Sequence, residues 1–164
     1  MKENNFESQS EKSKEYLLKA YQLQMNGKFE EAILNYKKSL KIHPTPEAHT
    51  FLGWTYSFIG DYEKAIDECK TAISLDPEYG NPYNDIGAYL IQQGKFEEAM
   101  TWLELALNAN RFSNKQFAHF NIGKILEHKG LWFEALEEYR KAIEMCPDYL
   151  LAKQRFNRLQ GMLN

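Results

Sequence analysis

The chain has 164 residues, 43% of them hydrophobic and 14% aromatic, which is too apolar for a disordered polymer and enough for one domain with a substantial core. Its formal net charge of −3 offers no basic surface for a phosphate backbone, so no nucleic-acid partner is expected. The two cysteines, Cys69 and Cys146, form no C-x-x-C pair and read as reduced thiols in a cytoplasmic protein rather than a redox or metal site.

Residues 1–12 are polar and lack the apolar stretch of a signal peptide, which reads as a flexible N-terminal tail. No later run approaches the roughly 18 apolar residues that cross a bilayer, so no membrane insertion is expected. From residue 13 the chain repeats itself. Gly27-Lys28-Phe29-Glu30-Glu31-Ala32 returns as Gly60-Asp61-Tyr62-Glu63-Lys64-Ala65 and as Gly94-Lys95-Phe96-Glu97-Glu98-Ala99. It returns once more as Gly130-Leu131-Trp132-Phe133-Glu134-Ala135, the four glycines lying 33, 34 and 36 residues apart. A period in this range marks a stack of small units, none of which buries its apolar face alone. Four units follow, 13–45, 46–79, 80–115 and 116–147, and then a terminal segment, 148–164.

Within each unit two apolar stripes of helical period flank a turn. In the second, Leu52, Gly53 and Tyr56 form one stripe. Gly60-Asp61 interrupts it, and Tyr62, Ala65, Ile66, Cys69, Ala72 and Ile73 form the next. Pro77 ends that helix, as Pro44 and Pro147 end theirs, because proline cannot continue a helix and restricts its predecessor. Gly53, Gly87 and Gly123, with Ala20 in unit one, sit midway along the first helices. Ala32, Ala65, Ala99 and Ala135 open the second ones. Small side chains there let helix axes approach closely. Tyr36, Tyr56, Tyr62, Phe96, Trp132 and Tyr139 fall at packing positions. Two extra residues lie between units three and four, within 108–115, where the terminating proline is also missing; Ser113 and Gln116 are placed to form a capping box for the next helix. The segment 148–164 predicts a capping helix with Leu151, Phe156, Leu159 and Met162 on its apolar face.

The residues just named resemble the tetratricopeptide-repeat (TPR) pattern, W-x₂-L-G-x₂-Y, then A-x₃-F, then P. Unit two reads His49-x₂-Leu52-Gly53-x₂-Tyr56, Ala65-x₃-Cys69 and Pro77. Unit four reads His119-x₂-Ile122-Gly123-x₂-Leu126, Ala135-x₃-Tyr139 and Pro147. Unit three matches through Tyr83, Ile86, Gly87, Leu90, Ala99 and Leu103 but has Arg111 in place of proline. The resemblance spans roughly residues 13 to 149. It implies an all-α fold, a right-handed superhelical TPR solenoid of antiparallel helix pairs.

The resemblance also implies that the first helix of each pair lines a concave groove. Opposite the small residues lie Tyr21 in unit one and Phe51, Trp54 and Phe58 in unit two. Asn81, Asn84 and Asp85 follow in unit three, and Phe117, Phe120, Asn121 and Lys124 in unit four. These eleven are the candidate peptide-binding residues. Clustered exposed aromatics mark interaction sites and anchor binding energy, and asparagines offer donors and acceptors to an extended backbone. Trp54 and Phe120 are expected to face the open groove. The family's two-carboxylate clamp for chaperone C-termini needs lysines and an arginine at places occupied here by Leu17, Tyr21, Phe51, Asn81 and Asp85, or one unit later by Thr50, Trp54, Asp85, Phe117 and Asn121. Neither set carries the cations, so no such partner is expected.

No H-x₃-H, H-E-x₂-H, G-x-S-x-G, Walker or dinucleotide motif occurs, so no metal, cofactor or catalytic residue is assigned. His49 and His119 occupy aromatic packing places. The favoured function is a non-enzymatic adaptor, monomeric in preference to dimeric with oligomeric state otherwise open, that holds an extended peptide or an amphipathic helix of another protein in an aromatic-rich groove. The alternatives are a cytosolic chaperone for secreted substrates, similar to class II type III secretion chaperones, and a structural subunit of a larger assembly.

Overall fold

The computed structural model describes residues 2–163. Among the described residues there are nine helices: α1 (Lys2–Met25), α2 (Phe29–Ile42), α3 (Pro46–Phe58), α4 (Tyr62–Leu75), α5 (Asn81–Gln92), α6 (Phe96–Asn108), α7 (Lys115–His128), α8 (Trp132–Met145) and α9 (Leu150–Leu163). The turn inside each pair is built the same way four times. Gly27, Gly60, Gly94 and Gly130 all have positive φ, between 72° and 80°, a conformation that costs glycine little. At Gly60 the glycine N–H donates to the Ser57 carbonyl at 3.1 Å and the Asp61 N–H to the Tyr56 carbonyl at 3.0 Å. These two bonds satisfy carbonyls that a helix end leaves orphaned. Lys28 to Leu23, Lys95 to Leu90 and Leu131 to Leu126 repeat the longer bond, so the recurring hexapeptide is a helix stop followed by a helix start. Asp61 also caps α4 through the Lys64 N–H, and Thr45 caps α3 ahead of Pro46.

The helices pack most closely within pairs, α1 on α2 through α7 on α8, and next between successive pairs; α1, α3, α5 and α7 also touch in series, forming a row. The small residues explain the close approach inside each pair. A Cβ at Gly87 would lie 2.6 Å from Leu103, one at Gly123 2.5 Å from the Tyr139 ring, and one at Gly53 3.0 Å from the Ala65 carbonyl. Tyr36, Leu52, Ile86, Leu103, Ile125 and Tyr139 fill the space so made and are fully buried, each contributing about 1.5–3 kcal/mol by removal from water. Two polar residues recur in this core. The Tyr36 hydroxyl donates to Gln24 at 2.7 Å, and the Tyr139 hydroxyl donates to Glu127 at 2.7 Å. His49 and His119 are half-buried and pair with Glu68 and Glu138, each at 2.6 Å.

Three details differ from the sequence expectations, and a further one, the third below, adds to them. First, helix α1 runs back to Lys2, so the segment 1–12 is helical from its second residue rather than a tail; Met1 lies outside the described residues. Its lysines, its glutamates and Gln9 are good helix formers, and they extend a helix already nucleated by its packed half. Second, Asn114, not Ser113, precedes α7, and no side chain caps it, so the capping box does not form. Third, the connection carrying the two extra residues pairs with the preceding joint. The Gly80 N–H donates to the Arg111 carbonyl, and the Arg111 N–H to the Glu78 carbonyl at 2.8 Å. The Arg111 side chain pairs with Asp76 and, at 3.2 Å, with Glu47. Phe112 lies so close over Gly80 that a Cβ there would collide with its ring. Fourth, α9 buries Ala152 and Leu159 and half-buries Phe156 and Leu163 against α8, while Leu151 and Met162 are exposed. The buried set follows the i, i+4, i+7, i+11 stripe of a helix.

Candidate functional site

The first helices align by their small residues, and each place on them forms a column along the array. The column one residue after the small residue holds Tyr21, Trp54, Ala88 and Lys124. Tyr21 is 39% exposed and Trp54 40%, whereas Lys124 is half-buried. The column three residues before it holds Leu17, Thr50, Asn84 and Phe120; the last three are all buried. That column faces the neighbouring helix. Phe120, expected on the open wall, is therefore an interior ring: it packs 5.7 Å from Tyr139 and 5.0 Å from Tyr149 by ring centroids. Trp132, expected at a packing position, is instead 45% exposed. Its counterparts Phe29, Tyr62 and Phe96 each pack on a ring of the next pair's first helix (Phe58, Tyr89 and His128). For Trp132 no aromatic partner occurs among the described residues.

Six candidates surround one hollow of about 70 Å³: Phe51, Trp54, Asn81, Asn84, Asp85 and Phe117. Phe112 and Asn114 of the irregular connection also reach it, a contribution that no helical pattern signals. A space of this size takes one small side chain rather than a substrate molecule. Phe51 sits between Tyr21 at 5.8 Å and Trp54 at 6.2 Å, making a continuous aromatic ledge. Phe58 is 60% exposed but lies apart from the hollow, stacked on Phe29.

The polar floor is buried, not a surface patch. Asn84, Asp85 and Asn121 are each under a tenth exposed. Asn121 donates to the Asn84 side-chain oxygen at 3.3 Å, and Asn84 donates to Asp85 at 3.3 Å. Removal from water pushes the Asp85 carboxyl up to about 7, against hydrogen bonds from Asn84 and the Trp54 indole that favour its charged form. Lys124 does not pair with it. Lys124 lies 5.7 Å over the Phe120 ring, and with Phe120 it lines a second hollow of about 520 Å³, closed by Leu151, Gln154, Arg155 and Arg158 of α9. Of these α9 residues the sequence pattern singles out only Leu151, as part of the apolar face of the capping helix. Among the described residues no group of three or more potential metal ligands occurs, and no helix is long and apolar enough to cross a membrane.

Two models of the tetratricopeptide repeat match residues 60–119 and 116–149. The chain belongs to the tetratricopeptide repeat family, and its fold is an all-α TPR superhelix. It is 32% identical over 96 residues to Small glutamine-rich tetratricopeptide repeat-containing protein 2 of Mycosarcoma maydis, covering 54% of this chain and 27% of that protein. To the Photosystem I assembly protein Ycf3 of Rippkaea orientalis it is 23% identical over 142 residues, 84% of this chain and 69% of that one. Among solved structures, MamA is similar with a TM-score of 0.71 and 27% identity, over 91% of this chain and 81% of that one. The chain spans between a fifth and two fifths of the length of the first curated relatives it matches.

Proposed function

We propose that the chain is a docking module that holds a segment of another protein along the row formed by α1, α3, α5 and α7. One observation carries this reading. The Tyr21–Phe51–Trp54 ledge leaves Tyr21 and Trp54 about 40% exposed beside a slot sized for one side chain. Partly exposed rings held rigidly by their neighbours present large apolar area at little conformational cost, which is how interface anchors work. Buried amides and a carboxyl at the slot's floor orient what enters it. An extended peptide or an amphipathic helix supplies the matching shape. The relative named for photosystem I assembly supports an adaptor or assembly role.

A structural-subunit reading has its own observation, the exposed triplet Leu131, Trp132 and Phe133 at the start of α8. Affinity capture from native lysate separates the two. Tyr21→Ala/Trp54→Ala should abolish capture while Trp132→Ala/Phe133→Ala leaves it intact; the opposite pattern favours the subunit reading.

A further inference from the structure

The large hollow between α7 and α9 has an excess of positive charge that the structure does not neutralise. Glu127 is fully engaged: one oxygen accepts the Tyr139 hydroxyl, and the other meets Arg155 at 3.5 Å and pairs with Arg158. Two guanidiniums thus share this one carboxylate while Lys124 on the same wall has none, a local surplus of two on a chain whose net charge is −3. No carboxylate among the described residues pairs with Lys124, which is half-buried over the Phe120 ring. Burial lowers the Lys124 pKa, and the charge of Arg155 lowers it further. Both effects mark an ammonium lacking a counter-charge. A further hollow of about 270 Å³, lined also by Glu127 and by the apolar Ile91 and Phe96, shares Lys124 and Arg155 with the larger one, so the two form one trough bordered by these cations.

We infer that this trough docks an acidic segment of a protein partner, its carboxylates between Lys124 and the Arg155–Arg158 pair and a neighbouring apolar side chain against Phe120 and Leu151. Charge alone would suit any anion. The apolar side chains beside the cations, Phe120 and Leu151 in one hollow and Ile91 and Phe96 in the other, select a peptide in which acidic and apolar residues alternate. Planar arginine forks match carboxylates, and a half-buried lysine gains more from an anion than an exposed one does. The inference rests on the protein-docking reading and adds a chemical class for one end of it. It involves side-chain carboxylates and not a chain terminus, and its cations lie outside the places used by the two-carboxylate clamp.

The test is fluorescence anisotropy of the full chain with a short acetylated and amidated peptide alternating Glu and Leu, alongside Gln/Leu and Lys/Leu counterparts. The Glu/Leu peptide should bind at least about tenfold tighter than either counterpart, and added salt should weaken it. Lys124→Gln should weaken it about tenfold with an unchanged thermal melt, and Lys124→Arg should restore it. Arg155→Gln, which leaves Arg158 on Glu127, gives an independent second variant. Equal binding of the Glu/Leu and Gln/Leu peptides, no binding, or displacement by equimolar inorganic phosphate overturns the inference. So does parental affinity in both variants. Glu/Leu binding lost in Trp54→Ala but kept in Lys124→Gln overturns it while leaving the docking function intact.

Discussion

Trp54 and Lys124 occupy the same column of the array, one residue after the small residue of their helices, yet the wall they build is different at the two ends. Around Trp54 the column is a ledge of rings with a narrow slot beside it. Around Lys124 it is a wider basic trough closed by α9. The backbone geometry repeats, so the difference lies in the side chains and in the neighbour each meets. A repeat fold keeps its columns fixed by packing and leaves their chemistry free. A partner lying along this wall meets an apolar end and a cationic end, which gives it a direction as well as a place.

That contrast can be broken by substitution. The largest effect is expected from Phe120→Ala, because this ring, though it borders the trough, is only 9% exposed and packs on Tyr139 and Tyr149. Urea denaturation should show a loss of about 3–5 kcal/mol, and a loss below about 1 kcal/mol would return Phe120 to the open surface. Trp54→Ala should reverse the balance, costing little stability and about 2 kcal/mol of partner affinity by calorimetry.

Asp85→Asn should stabilise the protein at pH 8 by about 2 kcal/mol and have little effect at pH 4. The carboxyl sits at about 7 when folded against 3.8 ordinarily, so the folded chain holds a proton that the unfolded chain releases between these values. Stability therefore falls as pH rises through that window, and the amide removes the fall. Denaturation midpoints of parent and variant running parallel from pH 4 to 8 would contradict this.

Smaller effects probe the frame. Among the described residues the Tyr89 hydroxyl is buried with no hydrogen-bond partner, so Tyr89→Phe should be neutral or stabilising by about 1 kcal/mol in thermal unfolding. Arg111→Ala, which removes largely exposed ion pairs, should cost about 0.5 kcal/mol.

The helices, their order and the pairing were legible because the hexapeptide that stops one helix and starts the next recurs four times, and because glycine midway along a helix signals close approach. The wall was legible less evenly. Counting Phe120 as wall treated every residue opposite the small one alike. Its column-mates Thr50 and Asn84 show that this column turns toward the neighbouring helix and is buried. Trp132 shows the converse. Its register matches Phe29, Tyr62 and Phe96, but burial there depends on the ring that the next pair supplies. The basic trough was hidden because it joins α7 to α9, and α9 lies outside the repeat period. Phe112 reaches the slot through backbone pairing between two joints, which leaves no periodic trace.

The most direct test of the docking claim is site-specific photocrosslinking in cells, with p-benzoylphenylalanine placed in turn at Tyr21, Trp54, Lys37 and Phe133. The account predicts partner adducts from positions 21 and 54 and none from 37, which is exposed on α2, or from 133. Adducts confined to position 133, with 21 and 54 silent, would contradict it.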